Sequence, residues 1–283
     1  MKTDKVNVDE AIEYLVVGSD SHSVGEALVG FEKSLAALPG PWEMFFAGDM
    51  LAGGVDTIEM VDWMRAHAQG RIVRGNHDYP SYLSSNSAKP KLEDGYRPLG
   101  SEGAALAALS PEAYEYIQQL PEQINICWRG KKIRMMHGHQ SPDGKEEVSG
   151  RSTPKELIKI FGDPDFDLTI IAHTHYPFVR REGDHFIANA GSMAWPNVTI
   201  ILEDGSVYSQ GGDESPADGG DFRSNFLLVT EQDGELEVEI VRFDYDRQAA
   251  LKHLAKIEGL SSPVKCWRKL ITTGVADERI MHG

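Results

Sequence analysis

"RIVRGNHDYP", residues 71–80, sets an asparagine, a histidine and an aspartate side by side directly after a short apolar run. Three adjacent polar groups cannot all be buried cheaply. They fit just past the carboxyl end of a buried strand, at the rim of a sheet, where open α/β folds bind their ligands.

Other strand ends carry the same signature. Apolar runs of strand length lie at 13–17 (EYLVV), 42–46 (WEMFF), 71–73 (RIV), 132–136 (KIRMM) and 168–172 (LTIIA), each giving way at once to polar residues or glycine. Between them, helices are predicted over Val24–Leu38, Thr57–Ala68, Pro111–Leu120 and Thr153–Phe161. The third is preceded by Ser110, and the fourth is opened by Ser152 or Thr153, as N-caps with a proline just inside. This alternation, near the ~30-residue period of a βαβ unit, predicts an α/β architecture with mostly parallel strands. From Asp184 onward the pattern changes to antiparallel strands, two of them broken at Asp-Gly turns, with Gln248–Ile257 as a closing helix. Ser81–Glu102 is irregular, and Gln210–Arg223 reads as an acidic loop that either covers the site or is merely solvated. No linker splits the chain, so residues 1–283 are expected to form one domain with insertions at about 81–125 and 210–223 and a C-terminal helical extension from about 247.

Composition narrows the function. With 41% apolar residues and no run long enough to cross a bilayer or act as a signal peptide, the expectation is a soluble cytoplasmic protein. Cys127 and Cys266 lie far apart with no CxxC spacing, so both are read as reduced, inert thiols. A formal net charge of -16 repels a nucleic-acid backbone and makes nucleic acid an improbable partner, while small phosphorylated molecules remain acceptable. Oligomeric state is not legible in the sequence.

After the successive strands stand Ser19-Asp20-Ser21-His22, Gly48-Asp49, Gly75-Asn76-His77-Asp78, His137-Gly138-His139 and His173-Thr174-His175. Six of the ten histidines fall in these five places, which single structural histidines would not do. Carboxylate, imidazole and amide oxygen are the mixed ligands that suit manganese, iron, zinc or nickel, and the lack of thiolate argues against a purely structural zinc. The expectation is a catalytic site, where one carboxylate can bridge two ions roughly 3.5–4 Å apart.

The series DxH, GD, GNHD, H and HxH, in that order, resembles the calcineurin-like metallophosphoesterase superfamily from about Glu13 to Asp246. "LSPEAYEYIQQLPEQI", "GKKIRMMHGH", "NAGSMAWP" and "FLLV...FDYD" resemble its small prokaryotic phosphodiesterase-like branch. The resemblance implies a four-layer αββα sandwich, two packed mixed β-sheets flanked by helices. It implies one metal held by Asp20, His22, Asp49 and His175, and a second held by Asp49, Asn76, His137 and His173. His77 would face the substrate as catalytic residue, and Asp78 would hold the turn by bonding local backbone N–H groups. Weaker substrate-binding candidates are Arg74, His139, Asn189 and Ser192, each with a structural alternative. His67, His185, His253 and His282 match no motif and are read as structural or exposed.

The implied activity is hydrolysis of a small, nucleotide-like phosphodiester or phosphomonoester by in-line attack of a metal-bridging hydroxide. A Ser/Thr protein phosphatase is the alternative within the superfamily, but those enzymes read GDxxDRG where this chain has Met50-Leu51-Ala52-Gly53-Gly54 after Asp49. A non-catalytic protein-binding scaffold of the same fold, as in the retromer subunit, is the alternative of another class. A nuclease would bring basic surface that this chain lacks.

Overall fold

The computed structural model describes residues 1–79, 105, 108–149, 152–196, 199–202, 204–209, 221–255, 263–277 and 279. Two mixed sheets lie face to face. One runs β12(Glu235–Phe243), β11(Ser224–Gln232), β2(Tyr14–Gly18), β3(Trp42–Phe46). The other runs β1(Thr3–Asn7), β4(Gln123–Trp128), β5(Lys131–Met136), β6(Leu168–Ile171), β8(His185–Asn189), β7(Phe178–Glu182). Strand alternation divides their side chains between two cores. Leu15, Val17 and Phe45 face inward and meet Ile126, Ile133 and Ile170 of the second sheet. Val16, Met44 and Phe46 face outward beneath helices α1(Gly25–Leu35), α2(Thr57–Ala68) and α3(Pro111–Gln119). On the far side, α4(Pro154–Phe161) covers the second sheet with Leu157, Ile158 and Phe161. The four layers αββα follow.

The helices start where their caps dictate. Ser110 Oγ accepts the Ala113 N–H, and Thr153 with Glu156 forms a reciprocal capping box. At the β11–β12 turn Asp233 and Gly234 both have positive φ, 52° and 84°, as a two-residue hairpin of matching twist requires.

Several expectations need correction. RIV is not a strand: only Ile72 bridges, in parallel, to Phe46, extending the first sheet by a single residue. β8 belongs to the six-stranded sheet, antiparallel to β7 but parallel to β6. Within the span read as an insertion, α3 packs against the first sheet and β4 pairs with β5, whereas residues 81–102 lie outside the described residues, as does most of the 210–223 loop. α5(Arg247–Leu254) closes within the predicted 248–257 span, whose end is also outside them. Beyond it stand α6(Pro263–Thr273), inside the span expected to be a helical extension, and β13(Val275–Asp277), a strand not expected there. β13 joins β9(Thr199–Ile201) and β10(Val207–Ser209) in a third, small sheet. Among the described residues no helix is long and apolar enough to cross a membrane.

Candidate metal centre

The polar clusters converge, but from both sheets and not from one edge. Asp20 and Asp49 follow β2 and β3 of the first sheet, while His137 and His173 follow β5 and β6 of the second. Two groups result, Asp20–His22–His175 and Asp49–His137–His173, each with ligand atoms within 4.8 Å of one another. Asn76 stands between imidazoles of the second group, its Oδ1 3.1 Å from His137 Nε2 and 3.0 Å from His173 Nδ1. Asp49 lies between the two groups, Oδ2 being 3.2 Å from His137 Nε2 and 3.9 Å from His22 Nε2. All seven predicted ligands are thus brought together.

The backbone is bent to achieve this. Asp20, His22, Asp49, His173 and His175 all have φ between 47° and 67°, a region non-glycine residues seldom enter. Such strain concentrates at functional sites. Gly75 is needed for a separate reason: a Cβ there would collide with the Asp49 carboxylate.

Asp78 holds the bend. Its fully buried carboxylate accepts four backbone N–H groups, from Asp49 (2.8 Å), Met50 (2.9 Å), Leu51 (3.1 Å) and Gly75 (2.9 Å). It ties the loop after β3 to the loop after Ile72, a wider reach than the local turn predicted for it. Burial, with the Asp49 charge, pushes its carboxyl up to about 7, while the N–H groups pull it down.

The imidazoles define what the centre can hold. His22 Nδ1 faces the carbonyls of Leu51 and Ala52, His137 Nδ1 that of Ala47, His175 Nδ1 that of Trp195, and His173 Nε2 that of Val148. A carbonyl only accepts, so each of these nitrogens carries a hydrogen, and the neutral ring turns its lone pair to the other side. There it meets only other acceptors: His22 Nε2 and His175 Nε2 are 3.1 Å apart, and Asp20 Oδ1 is 3.0 Å from His175 Nε2. Neither oxygen of the fully buried Asp20 carboxylate has a hydrogen-bond partner. Facing acceptors in a dry place require a shared cation or extra protons. Among the described residues the protons settle unevenly. Burial disfavours a charged His137, yet Asp49 holds it up at about 9. Burial likewise opposes ionisation of Asp20 and Asp49, but His175 and His137 respectively hold them below the usual carboxylate range. The donor set fits divalent cations, which would take the place of those protons.

His77 sits beside the centre. Its backbone N–H donates to Asp49 Oδ1 at 2.8 Å, and its ring meets that of His22 edge-on with centroids 5.1 Å apart. Burial pushes its imidazole down to about 3. His139 borders a cavity of 230 Å³ next to His137, lined also by Tyr79, Glu122 and Ser141. The other substrate-binding candidates have protein partners of their own. Arg74 stacks 4.0 Å over Tyr79 and donates to the Gln118 carbonyl, with Glu122 as its ion-pair partner. Asn189 and Ser192 are fully buried. Asn189 donates to Ala172 O and Thr174 Oγ1, holding the loop between His173 and His175, and Ser192 donates to Asp20 O. Trp195 is not among the site candidates: its ring stacks on His22 at 4.9 Å, and its one signal in the sequence is its place in the NAGSMAWP motif.

Two mixed sheets that gather carboxylates and imidazoles from both at their strand ends define a phosphoesterase-type sandwich. Residues 14–203 match the calcineurin-like phosphoesterase superfamily domain, and the chain belongs to that family. The family is metal-dependent, and the two groups above are this chain's candidate ligands. An uncharacterized protein of Methanocaldococcus jannaschii, MJ0912, is 26% identical over 86% of this chain and 92% of its own length. In fold the chain is similar to a metallophosphoesterase from Sphaerobacter thermophilus, with a TM-score of 0.66 at 18% identity over 93% of this chain and 100% of that one. It is equally similar to the hypothetical protein PH1004 from Pyrococcus horikoshii, with a TM-score of 0.66 at 15% identity over 92% and 98%.

Proposed function

We propose that this protein is a hydrolase of small phosphoesters, nucleotide-like mono- or diesters, that works with two divalent cations. Asp20, His22, Asp49 and His175 would hold one, and Asp49, Asn76, His137 and His173 the other, with Asp49 shared. The observation that carries the reading is the set of four imidazoles whose outer nitrogens are committed to carbonyls while their inner ones face acceptors only. Bound cations would polarise the phosphoryl group and lower the pKa of water, the usual contribution of such ions.

The chain's own residues supply the rest. The carbonyls of Ala47, Leu51, Val148 and Trp195 fix the imidazole tautomers, so the lone pairs are aimed before any ligand arrives. Asp78 locks the two loops that carry Asp49 and Asn76. His77, tethered through its N–H to Asp49, would hand a proton to the leaving oxygen or stabilise charge on the phosphoryl group. No basic patch for a nucleic acid is called for, consistent with the charge of -16.

The test is hydrolysis of bis(p-nitrophenyl) phosphate and p-nitrophenyl phosphate by metal-stripped protein, with manganese, nickel, zinc or magnesium restored singly. Restored cleavage of the diester supports a phosphodiesterase, and preference for the monoester a phosphatase. A protein that binds no metal and cleaves neither would be a scaffold.

A further inference from the structure

Trp195 touches the centre although an indole ligates nothing there. Its ring lies flat on His22, with 14° between planes and centroids 4.9 Å apart. Its carbonyl accepts the His175 Nδ1 hydrogen at 3.1 Å. Its backbone N–H donates to Ser192 Oγ at 3.0 Å, and that hydroxyl donates in turn to the Asp20 carbonyl at 2.8 Å. One residue thus sets the ring plane of His22, the tautomer of His175 and, through Ser192, the strained backbone at Asp20. The imidazoles of the other group take their carbonyls elsewhere, from Ala47 and Val148.

Two features show that the indole is fitted and not incidental. It leans on Gly53, where a Cβ would overlap the ring and where φ is 103°. On its other side it belongs to an apolar cluster with Ala27 of α1, Ala250 and Leu254 of α5, and Leu270 and Ile271 of α6. Tyr245 Oη donates to the Ala194 carbonyl, and Arg247 donates to the Ile271 carbonyl, so the C-terminal helices clamp the Trp195 segment from outside.

We propose that Trp195 is the positioning residue of the Asp20–His22–His175 half of the centre, and that the C-terminal helices set the metal affinity of that half through it. This rests on the metal-centre reading above. Release of α5 and α6 would free the indole, let His22 and His175 turn, and weaken one cation site while sparing the other.

The experiment is calorimetric titration of the full chain with cobalt(II) in two backgrounds. Asn76→Ala leaves the Asp20–His22–His175 half to be read, and Asp20→Ala leaves the other. In the Asn76→Ala background, Trp195→Ala is expected to raise Kd by about 10- to 100-fold, the usual effect of losing a group that orients a ligand. Trp195→Phe, which keeps a flat ring against His22, should restore most of the affinity. Ile271→Ala, which touches neither histidine, should weaken binding in the same direction. In the Asp20→Ala background none of the three should change Kd by more than about twofold. Equal weakening in both backgrounds, or none in either, overturns the inference. If Trp195→Ala does not fold, Ile271→Ala decides alone. Wild-type protein that binds no cobalt removes the metal-centre reading and this inference together, whereas two bound ions indifferent to Trp195 and Ile271 remove only the inference.

Discussion

Two regions of this molecule bring carboxylate and imidazole within ligand distance, and they are built in opposite ways. At the strand ends, the groups Asp20–His22–His175 and Asp49–His137–His173 are largely buried, bent into left-handed backbone and made of facing acceptors. Some distance along the chain, Glu26, Asp56 and His253 also cluster within 4.8 Å. There the residues are half-exposed and their backbone is unstrained. His253 Nδ1 lies 2.8 Å from Glu26 Oε1, and Asp56 Oδ2 accepts the Gly25 N–H at the start of α1. The second cluster is a surface contact between two helix starts and a helix end. Proximity of ligand types does not make a metal centre; dryness, fixed tautomers and strain held by the surrounding structure do.

Substitutions can break the contrast. The largest effect is expected for Asp49→Ala, which should reduce hydrolysis to background and lower the bound metal measured by plasma emission. Normal activity in that variant would falsify the shared-ligand assignment. His77→Ala should keep its metals yet lose about 100- to 10,000-fold in rate, the usual worth of acid-base assistance, so loss of metal content would reassign His77 as a ligand. Asp78→Ala strands four buried N–H groups, each costing about 1–3 kcal/mol if left dry, and should lower the urea midpoint sharply while Asp78→Asn loses less. His253→Ala should cost about 1 kcal/mol or less and leave metal stoichiometry untouched. A lost metal equivalent there would erase the distinction between the clusters.

Proton linkage sharpens the same contrast. A cation must displace the His137 proton, which Asp49 holds, against burial, until about pH 9. Metal affinity should therefore rise by about tenfold per pH unit for each proton displaced and flatten near pH 9. In the metal-free protein the sign reverses. A raised histidine pKa stabilises the fold fully below the ordinary value, and that contribution is lost as pH climbs through about 9. Titrations in buffers of different ionisation heat would detect the released proton, and none released at pH 7 would contradict the assignment.

Much of this was legible in the sequence. Short apolar runs ending in polar residues located β2, β3, β5 and β6, and the residues following them are the ones that converge. β1 escaped because Thr3–Asn7 alternates only between exposed and half-buried positions and shows no apolar stripe. The apolar RIV was overread, since its neighbours pair with the sheet at Ile72 alone. Spacing could not tell that the wall carrying Asp20 and the wall carrying His137 belong to different sheets, because that depends on the order β12-β11-β2-β3, whose β11 comes from residue 224 onward. Arg74 is read as available to a phosphate; its guanidinium lies over Tyr79 and reaches Gln118 and Glu122, while its buried Nε has no hydrogen-bond partner.

The two-sheet origin of the centre has a consequence for how the chain is made. As residues leave the ribosome, Asp20 and Asp49 come out early, but neither group is complete until His173 or His175 has followed, and the Asp20–His22–His175 group waits longer still for the Trp195 carbonyl. A newborn chain therefore carries its carboxylates well before the last imidazoles that complete either group.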